Sequence, residues 1–277
     1  MPKPEFKSIE KINLGADSHL ELVEVEGRKY VLKTYIAHGG ENAITKRNRE
    51  FYYHKELEKI GLNHFKFHFL DFIQSNQLCF EYLENFHTFD TINDSKEFGK
   101  LSKYVQDLWE ISKIEKTKFV EEKDCKHASI EDYFNYLKID VLRCKTDPKY
   151  AVLANKFIDE LKQVTTYLTL LHSDFHEHNI GLVDREILFF DGGNYSYLYG
   201  HKYHDISRIL MYYPEGVIFD NQEISPRIKS FVDGFKFDYK SVEFQKFCYL
   251  QSLIMYNNPW IEKRKEIADY LYQKLFL

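Results

Sequence analysis

The chain has 277 residues, enough at roughly 100–200 per domain for one large domain or two smaller ones around a cleft. With 44% hydrophobic and 29% charged residues, it holds too much apolar matter for a disordered chain and too many scattered charges for a membrane-spanning one. Lys and Arg total 38 against 43 Asp and Glu, and the net charge of −5 supplies no overall basic field for nucleic-acid phosphates.

From Ile12 to about Tyr35 the pattern is strand-like, with Leu20, Leu22 and Val25 before the turn Glu26-Gly27-Arg28 and Tyr30-Val31-Leu32 beyond it. This spacing predicts a β-hairpin. After a loop around Gly39-Gly40, residues Ala43 to Ile60 lack Gly and Pro, and Phe51, His54, Leu57 and Ile60 recur at helical steps before Gly61. Strand-like stretches around Phe67–Ile73 and Gln77–Tyr82 follow, so residues 1–84 read β-β-α-β-β. Beyond Asn85 the chain turns helical, with Phe98, Leu101, Tyr104, Val105 and Leu108 on one face and Asp94 or Ser95 as the cap. Ser129-Ile130-Glu131-Asp132 resembles a capping box, and Asp147-Pro148 starts a helix expected to run to Leu171. Ile180–Val183 and Ile187–Phe190 form a hairpin around Asp184-Arg185, after which mostly helical sequence returns. With no repeat or low-complexity linker, residues 83–88 read as a hinge between two lobes, 1–84 and 85–277.

The composition is 17% aromatic, with 23 Phe and 21 Tyr but 2 Trp. Lys outnumbers Arg 30 to 8, as expected of an AT-rich coding sequence, so the aromatic excess reads first as core filling rather than a stacking surface. Cys79, Cys125, Cys144 and Cys248 are far apart with no C-x-x-C pair, which suggests neither zinc nor a disulfide framework. No secretion signal or membrane span is visible, so a reducing cytoplasm fits best, although delivery by a specialised secretion machine would look the same.

The chemistry-bearing segment is His172-Ser173-Asp174-Phe175-His176-Glu177-His178-Asn179, followed by a hairpin and then Asp191-Gly192-Gly193. An H-x-D-x-x-x-x-N loop can set one carboxylate beside an incoming hydroxyl, while an amide oxygen and a second carboxylate hold Mg²⁺ against nucleotide phosphates. The competing reading, a metal cluster of His172, His176 and His178, is disfavoured because no Cys accompanies them and hard oxygen donors stand beside them.

Asp174-Phe175-His176 followed by Asn179 resembles the H-G-D-L-H-x-x-N loop of the aminoglycoside phosphotransferase and choline kinase superfamily. The resemblance implies an α+β, two-lobed protein-kinase-like fold, with a small β-rich nucleotide-binding N-lobe and a larger, mainly helical C-lobe carrying the catalytic loop and acceptor site. It implies ATP and Mg²⁺ as cofactors, Asp174 as the catalytic base, and Asn179 and Asp191 as metal ligands. Lys33 would contact the phosphates with Glu50 as its helix partner, Glu56 being the rival. Backbone groups of Glu81 and Leu83 would read the nucleotide base, and Ser18 would touch phosphate. His172 and His176 would brace the loop, as would Asp205, for which a simple helix N-cap is the equal alternative. Tyr195, Tyr197, Tyr199 and Tyr203 follow the metal aspartate and would form an acceptor wall if they are not merely structural. Two departures stand out: the phosphate loop Leu14-Gly15-Ala16-Asp17-Ser18 holds one glycine, and Gly192-Gly193-Asn194 replaces the D-F-G or D-[WF]-E pattern, leaving one metal ion or two open.

The expected activity is transfer of the γ-phosphoryl group of ATP to a hydroxyl of a small polar acceptor, such as an amino sugar, sugar or amino alcohol. A lipopolysaccharide-core sugar kinase is the runner-up. A protein kinase is disfavoured, because no A-P-E sequence follows Asp191 and the stretch to Asp205 is short. A nucleotide-binding pseudokinase scaffold is the alternative of another class. The acceptor, ATP against GTP and the oligomeric state stay open at this level.

Overall fold

The structure, a computed structural model, describes residues 6–14, 18–37, 42–68, 73–92, 94–115, 129–143, 147–193, 198–220, 222–257 and 263–276. Strands β1 (Phe6–Leu14), β2 (Ser18–Val25) and β3 (Arg28–Tyr35) are followed by helix α1 (Ala43–Lys59) and strand β4 (Gln77–Glu81). The four strands form one antiparallel sheet in the order β1-β2-β3-β4. A two-residue turn joins β2 to β3 with Glu26 at φ 51° and Gly27 at φ 75°, the left-handed pair that matches strand twist.

Alternation along β3 decides what meets what. Tyr30 and Leu32 turn to one face with Val23, Val25 and Cys79, whereas Val31 and Tyr35 turn to the other with Leu78, Phe80 and Phe51 of α1. Lys33 shares the odd-numbered face and is therefore carried toward α1. That helix starts at Asn42, whose side chain accepts from Ile44 N at 2.8 Å, and it buries Glu50, Tyr53, His54 and Leu57 in an i, i+3, i+4, i+7 stripe. A Lys and a Glu thus face each other across the sheet–helix packing.

The rest of the chain comprises β5 (His87–Thr88), α2 (Ser95–Ile111), β6 (Ile114–Glu115), α3 (Ile130–Arg143), α4 (Pro148–Val164), β7 (Tyr167–Leu170), β8 (Ile180–Val183), β9 (Glu186–Phe189), β10 (Tyr199–Gly200), α5 (Tyr203–Leu210), α6 (Pro226–Asp233), α7 (Val242–Ile254) and α8 (Arg264–Phe276). Helix α7 is the central beam: Phe244, Phe247, Cys248, Tyr249, Leu250 and Leu253 are all buried, with α3, α4, α5 and α8 packed around it. Two three-stranded sheets, β5-β8-β9 and β10-β7-β6, edge this helical body and present the loop between β7 and β8. Tyr53, Tyr133, Tyr249, Phe89 and Phe175 are among the largest fully buried side chains, so much of the aromatic content does fill the core. No helix among the described residues is long and apolar enough to cross a membrane.

Three sequence-based expectations are corrected. The sheet begins earlier than Ile12, because Phe6–Leu14 forms its own strand, interrupted by irregularities between Ser8 and Glu10 and between Lys11 and Asn13 that blur the alternation. The expected strand at Phe67–Ile73 reduces, in its described part, to one antiparallel bridge from Phe67 to Phe80, flanked by His68 N donating to Cys79 O at 2.9 Å; residues 69–72 lie outside the described residues. Helix α4 ends at Val164, not Leu171. Thr165 caps it, donating its hydroxyl back to Leu161 O at 2.6 Å, and the β-branched and aromatic run that follows goes into β7.

Candidate active site

Lys33 Nζ stands 2.5 Å from Glu50 Oε2 and 2.6 Å from Asp191 Oδ1. Lys33 and Glu50 are buried, whereas the Asp191 side chain is 39% exposed. Burial alone would drive the ammonium toward neutrality, but the two carboxylates outweigh it and hold Lys33 above its ordinary value. Burial also raises Glu50, which Lys33 and the Tyr35 hydroxyl, donating to Oε2 at 2.5 Å, pull back down. The rival Glu56 is spent elsewhere, accepting from the Tyr199 hydroxyl at 2.5 Å.

The loop from His172 to Asn179 is braced from several sides. His172 is fully buried; its Nε2 lies 2.9 Å from Phe190 O, and its Nδ1 accepts from Asp174 N at 3.3 Å. With both ring nitrogens so used, His172 is not a metal ligand, and burial lowers its pKa to about 4. No group of three or more His, Cys, Asp or Glu side chains suited to a metal ion occurs among the described residues. Asp205 lies inside the first turn of α5, and its carboxylate accepts from His172 N at 2.7 Å and Ser173 N at 2.9 Å. It is the loop brace and not the N-cap, a position held by Lys202. Burial pushes Asp205 up to about 7, against the pull of those two amides and of Arg208.

Asp174 presents its two oxygens to different partners. Arg208 Nη2 donates to Oδ1 at 2.5 Å, while Asn179 Nδ2 donates to Oδ2 and to the Asp174 carbonyl, both at 3.1 Å. The same Asn179 nitrogen lies 3.1 Å from His176 Nε2. Burial would raise Asp174, but Arg208, then His176 and His172, keep it well below the usual carboxylate range. Ser173, just before Asp174, sits at φ 67°, and Asp191 itself sits at φ 56°, so left-handed backbone occurs beside the first acid and at the second. Asn179 is tied to the second of them, since Phe190 N donates to Asn179 O at 3.2 Å.

The remaining expectations divide. Ser18 opens β2 opposite Tyr35; Gly15, Ala16 and Asp17 of the expected phosphate loop lie outside the described residues. Glu81 closes β4 with its amide donating to Lys66 O at 3.1 Å, and Leu83 follows it outside the strand. Tyr195 and Tyr197 lie outside the described residues. Tyr199 and Tyr203 do not form an exposed wall: they are 3% and 6% exposed, Tyr203 packing against Phe237, Phe244 and Phe247. Two participants lie outside the sequence reading. Arg208 is three residues from Asp205 on one helix, and Tyr35 is two from Lys33 on one strand face. Those spacings were the available signals.

The whole chain shares its fold with small-molecule kinases of the protein-kinase-like phosphotransferase type. A choline kinase from Streptococcus pneumoniae superposes with a TM-score of 0.59 at 13% identity, covering 99% of this chain and 92% of that one. An amicoumacin kinase in complex with AMP-PNP and Ca²⁺ gives 0.57 at 16% identity, covering 98% and 87%. A thermostable mutant of an aminoglycoside phosphotransferase gives 0.62 at 11% identity, covering 97% and 95%. No protein-family model matches the sequence, and no curated protein matches it.

Proposed function

We propose that the chain is an ATP-dependent phosphotransferase acting on a hydroxyl of a small polar acceptor, an amino sugar, sugar or amino alcohol. The observation that carries this reading is the Lys33 ammonium held between Glu50 and Asp191, with Asp174 and Asn179 hydrogen-bonded to one another in the adjoining loop. Catalysis in such a site comes from positioning and charge neutralisation. Lys33 would hold the nucleotide phosphates. Asp174, kept ionised by Arg208, would orient the acceptor hydroxyl and take its proton as the phosphoryl group moves in line.

The residues present fit Mg²⁺. Asn179 spends its amide nitrogen on Asp174, so the atom it offers a cation is its oxygen, and Asp191 adds a partly exposed carboxylate. Asn179 and Asp191 would hold the ion, which would supply positive charge against that of the nucleotide phosphates. Backbone around Glu81 and Leu83 would read the base, and Ser18 would approach phosphate from the start of β2. The amicoumacin kinase bound to AMP-PNP and Ca²⁺ supports the nucleotide and divalent-cation assignment, and the choline and aminoglycoside enzymes support a small acceptor. Cys79 and Cys248, free and buried, support a reducing compartment such as the cytoplasm.

The test is a screen of phosphate transfer from γ-labelled ATP to amino sugars, sugars, amino alcohols and generic protein, alongside Mg²⁺-dependent ATP binding. Asp174→Asn is expected to lower kcat by roughly 10²–10⁴-fold with MgATP binding retained. Unchanged turnover in the folded variant removes Asp174 as the base, absence of MgATP binding by the native protein overturns the enzyme reading, and binding without transfer to any acceptor replaces it with a nucleotide-binding scaffold.

A further inference from the structure

Two consecutive glycines follow Asp191, and each admits part of α1. A Cβ on Gly192 would lie 2.4 Å from Cδ1 and Cε1 of Tyr53 and 2.9 Å from its Cζ. Gly193 has φ 80°, and a Cβ there would lie 2.8 Å from the carbonyl oxygen of Arg49 and 3.0 Å from its carbon. The first glycine makes room for a ring and the second for main chain. Tyr53 is fully buried and edge-on to His172, with ring centroids 5.4 Å apart. Its hydroxyl is buried without a hydrogen-bond partner among the described residues, so the ring carries the contact.

The position of that ring matters because of what sits one turn away. Glu50 precedes Tyr53 by three residues on the same buried face of α1, and Asp191 immediately precedes Gly192. Lys33 spans the two acids at 2.5 Å and 2.6 Å. Widening the gap between α1 and the Asp191 segment therefore pulls at least one of those carboxylates away from the ammonium they share. We infer that Tyr53 is a positioning residue that gauges this gap, and that Gly192 is required because it receives the Tyr53 ring. The departure at Gly192-Gly193 then has a use: the space a larger residue would fill is filled from α1.

The activity arm of the test rests on the phosphotransferase reading; the exchange arm does not. Gly192→Ala, Tyr53→Leu and the double variant are compared by hydrogen exchange of the amides around residues 49–53 and 191–193 in the ligand-free protein, and by MgATP affinity and turnover. Gly192→Ala is expected to speed exchange in both segments and lower turnover on the order of 10²-fold, the usual cost of misplacing reacting groups by about an ångström. The smaller Leu frees room, so the double variant recovers at least about tenfold of that loss, the non-additivity that contacting residues show. Tyr53→Phe, which keeps the ring, keeps the protection, whereas Tyr53→Leu alone loosens both segments. If Gly192→Ala does not fold, folding of the double variant supports the inference, and native-like exchange in Tyr53→Leu overturns it. Strictly additive effects, or native exchange in Gly192→Ala, also overturn it. A native protein that neither binds nor turns over MgATP refutes the enzyme reading, and the exchange cycle still decides the role of Tyr53.

Discussion

Arg208 and Asp174 form an ion pair at 2.5 Å, with the arginine side chain 7% and the aspartate 21% exposed. The guanidinium offsets the burial that would otherwise raise the carboxyl, so Asp174 remains ionised where most carboxylates begin to protonate. Replacing Arg208 with Gln removes the guanidinium that offsets the burial of that charge. The expected cost is about 3 kcal/mol of stability, as when one partner of a largely buried pair is removed. The acid limb of the kcat/KM profile should also move to higher pH. Denaturant titration and a pH–rate series measure the two, and an unmoved limb would show that Arg208 does not tune Asp174.

Lys33 carries the second prediction. Without its ammonium, Glu50 and Asp191 face each other with no cation between them, so Lys33→Met should lower kcat/KM for MgATP by roughly 10²–10³-fold, the scale of losing one preorganised charge contact. Tyr35→Phe removes a donor to Glu50 but leaves the ion pair. Its expected effect is a stability loss of about 1.5–3 kcal/mol, typical of a hydrogen bond to a charged group, with a smaller kinetic change. Steady-state kinetics and urea unfolding separate the two variants, and equal kinetic losses would contradict this ordering.

Much of this arrangement is legible in the residues because it is local. Lys33 and Glu50 lie 17 residues apart across one strand-to-helix connection, and Asp174 and Asn179 share one loop, so strand alternation and helical stepping nearly fix their faces. Contacts made by folding distant segments together are not written that way. Nothing in the spacing of Tyr53 and Gly192 announces that one fills the other's space. Tyr199 and Tyr203, adjacent in sequence to the Asp191 segment, are drawn into the core by Glu56 and by the aromatic cluster around Phe244. The end of α4 was missed for a related reason. Leu161, Val164, Leu168 and Leu171 keep a helical step, and only the cap at Thr165 and the pairing of β7 with β6 and β10 override it.

Acid sensitivity follows from histidines buried in the neutral form. Burial lowers His172 to about 4 and His204 to about 3, and holds His54 well below its usual value. Between these values and about 6.5, these three side chains bind more protons in the unfolded chain than in the folded one, while Asp205, raised to about 7, does the reverse and offsets about one histidine's share. The histidine contribution therefore rises with pH through that window, is fully present above about 6.5, and is lost as pH falls toward 4. Each such histidine contributes a slope of up to about 1.4 kcal/mol per pH unit. Denaturant unfolding from pH 7.5 to 4.5 should show this fall, and His204→Gln should remove about one histidine's share of the slope. A slope that His204→Gln leaves unchanged would mean that this side chain is not buried neutral.

The turn between β8 and β9 offers a prediction free of the chemistry. Asp184 and Arg185 occupy φ 48° and 71°, the left-handed pair of a two-residue hairpin, as Glu26 and Gly27 do between β2 and β3. The N-terminal turn has glycine at its second position, where the conformation costs nothing sterically, whereas Arg185 carries a Cβ there. Arg185→Gly should relieve that strain by more than it adds to the freedom of the unfolded chain, a net gain of about 0.5–1 kcal/mol. Gly27→Ala should lose about as much. No residue of either turn takes part in the Lys33 and Asp174 contacts described above, so thermal melts should shift in opposite directions while MgATP affinity stays constant. A destabilised Arg185→Gly would mean that the arginine makes a compensating contact that outweighs the strain.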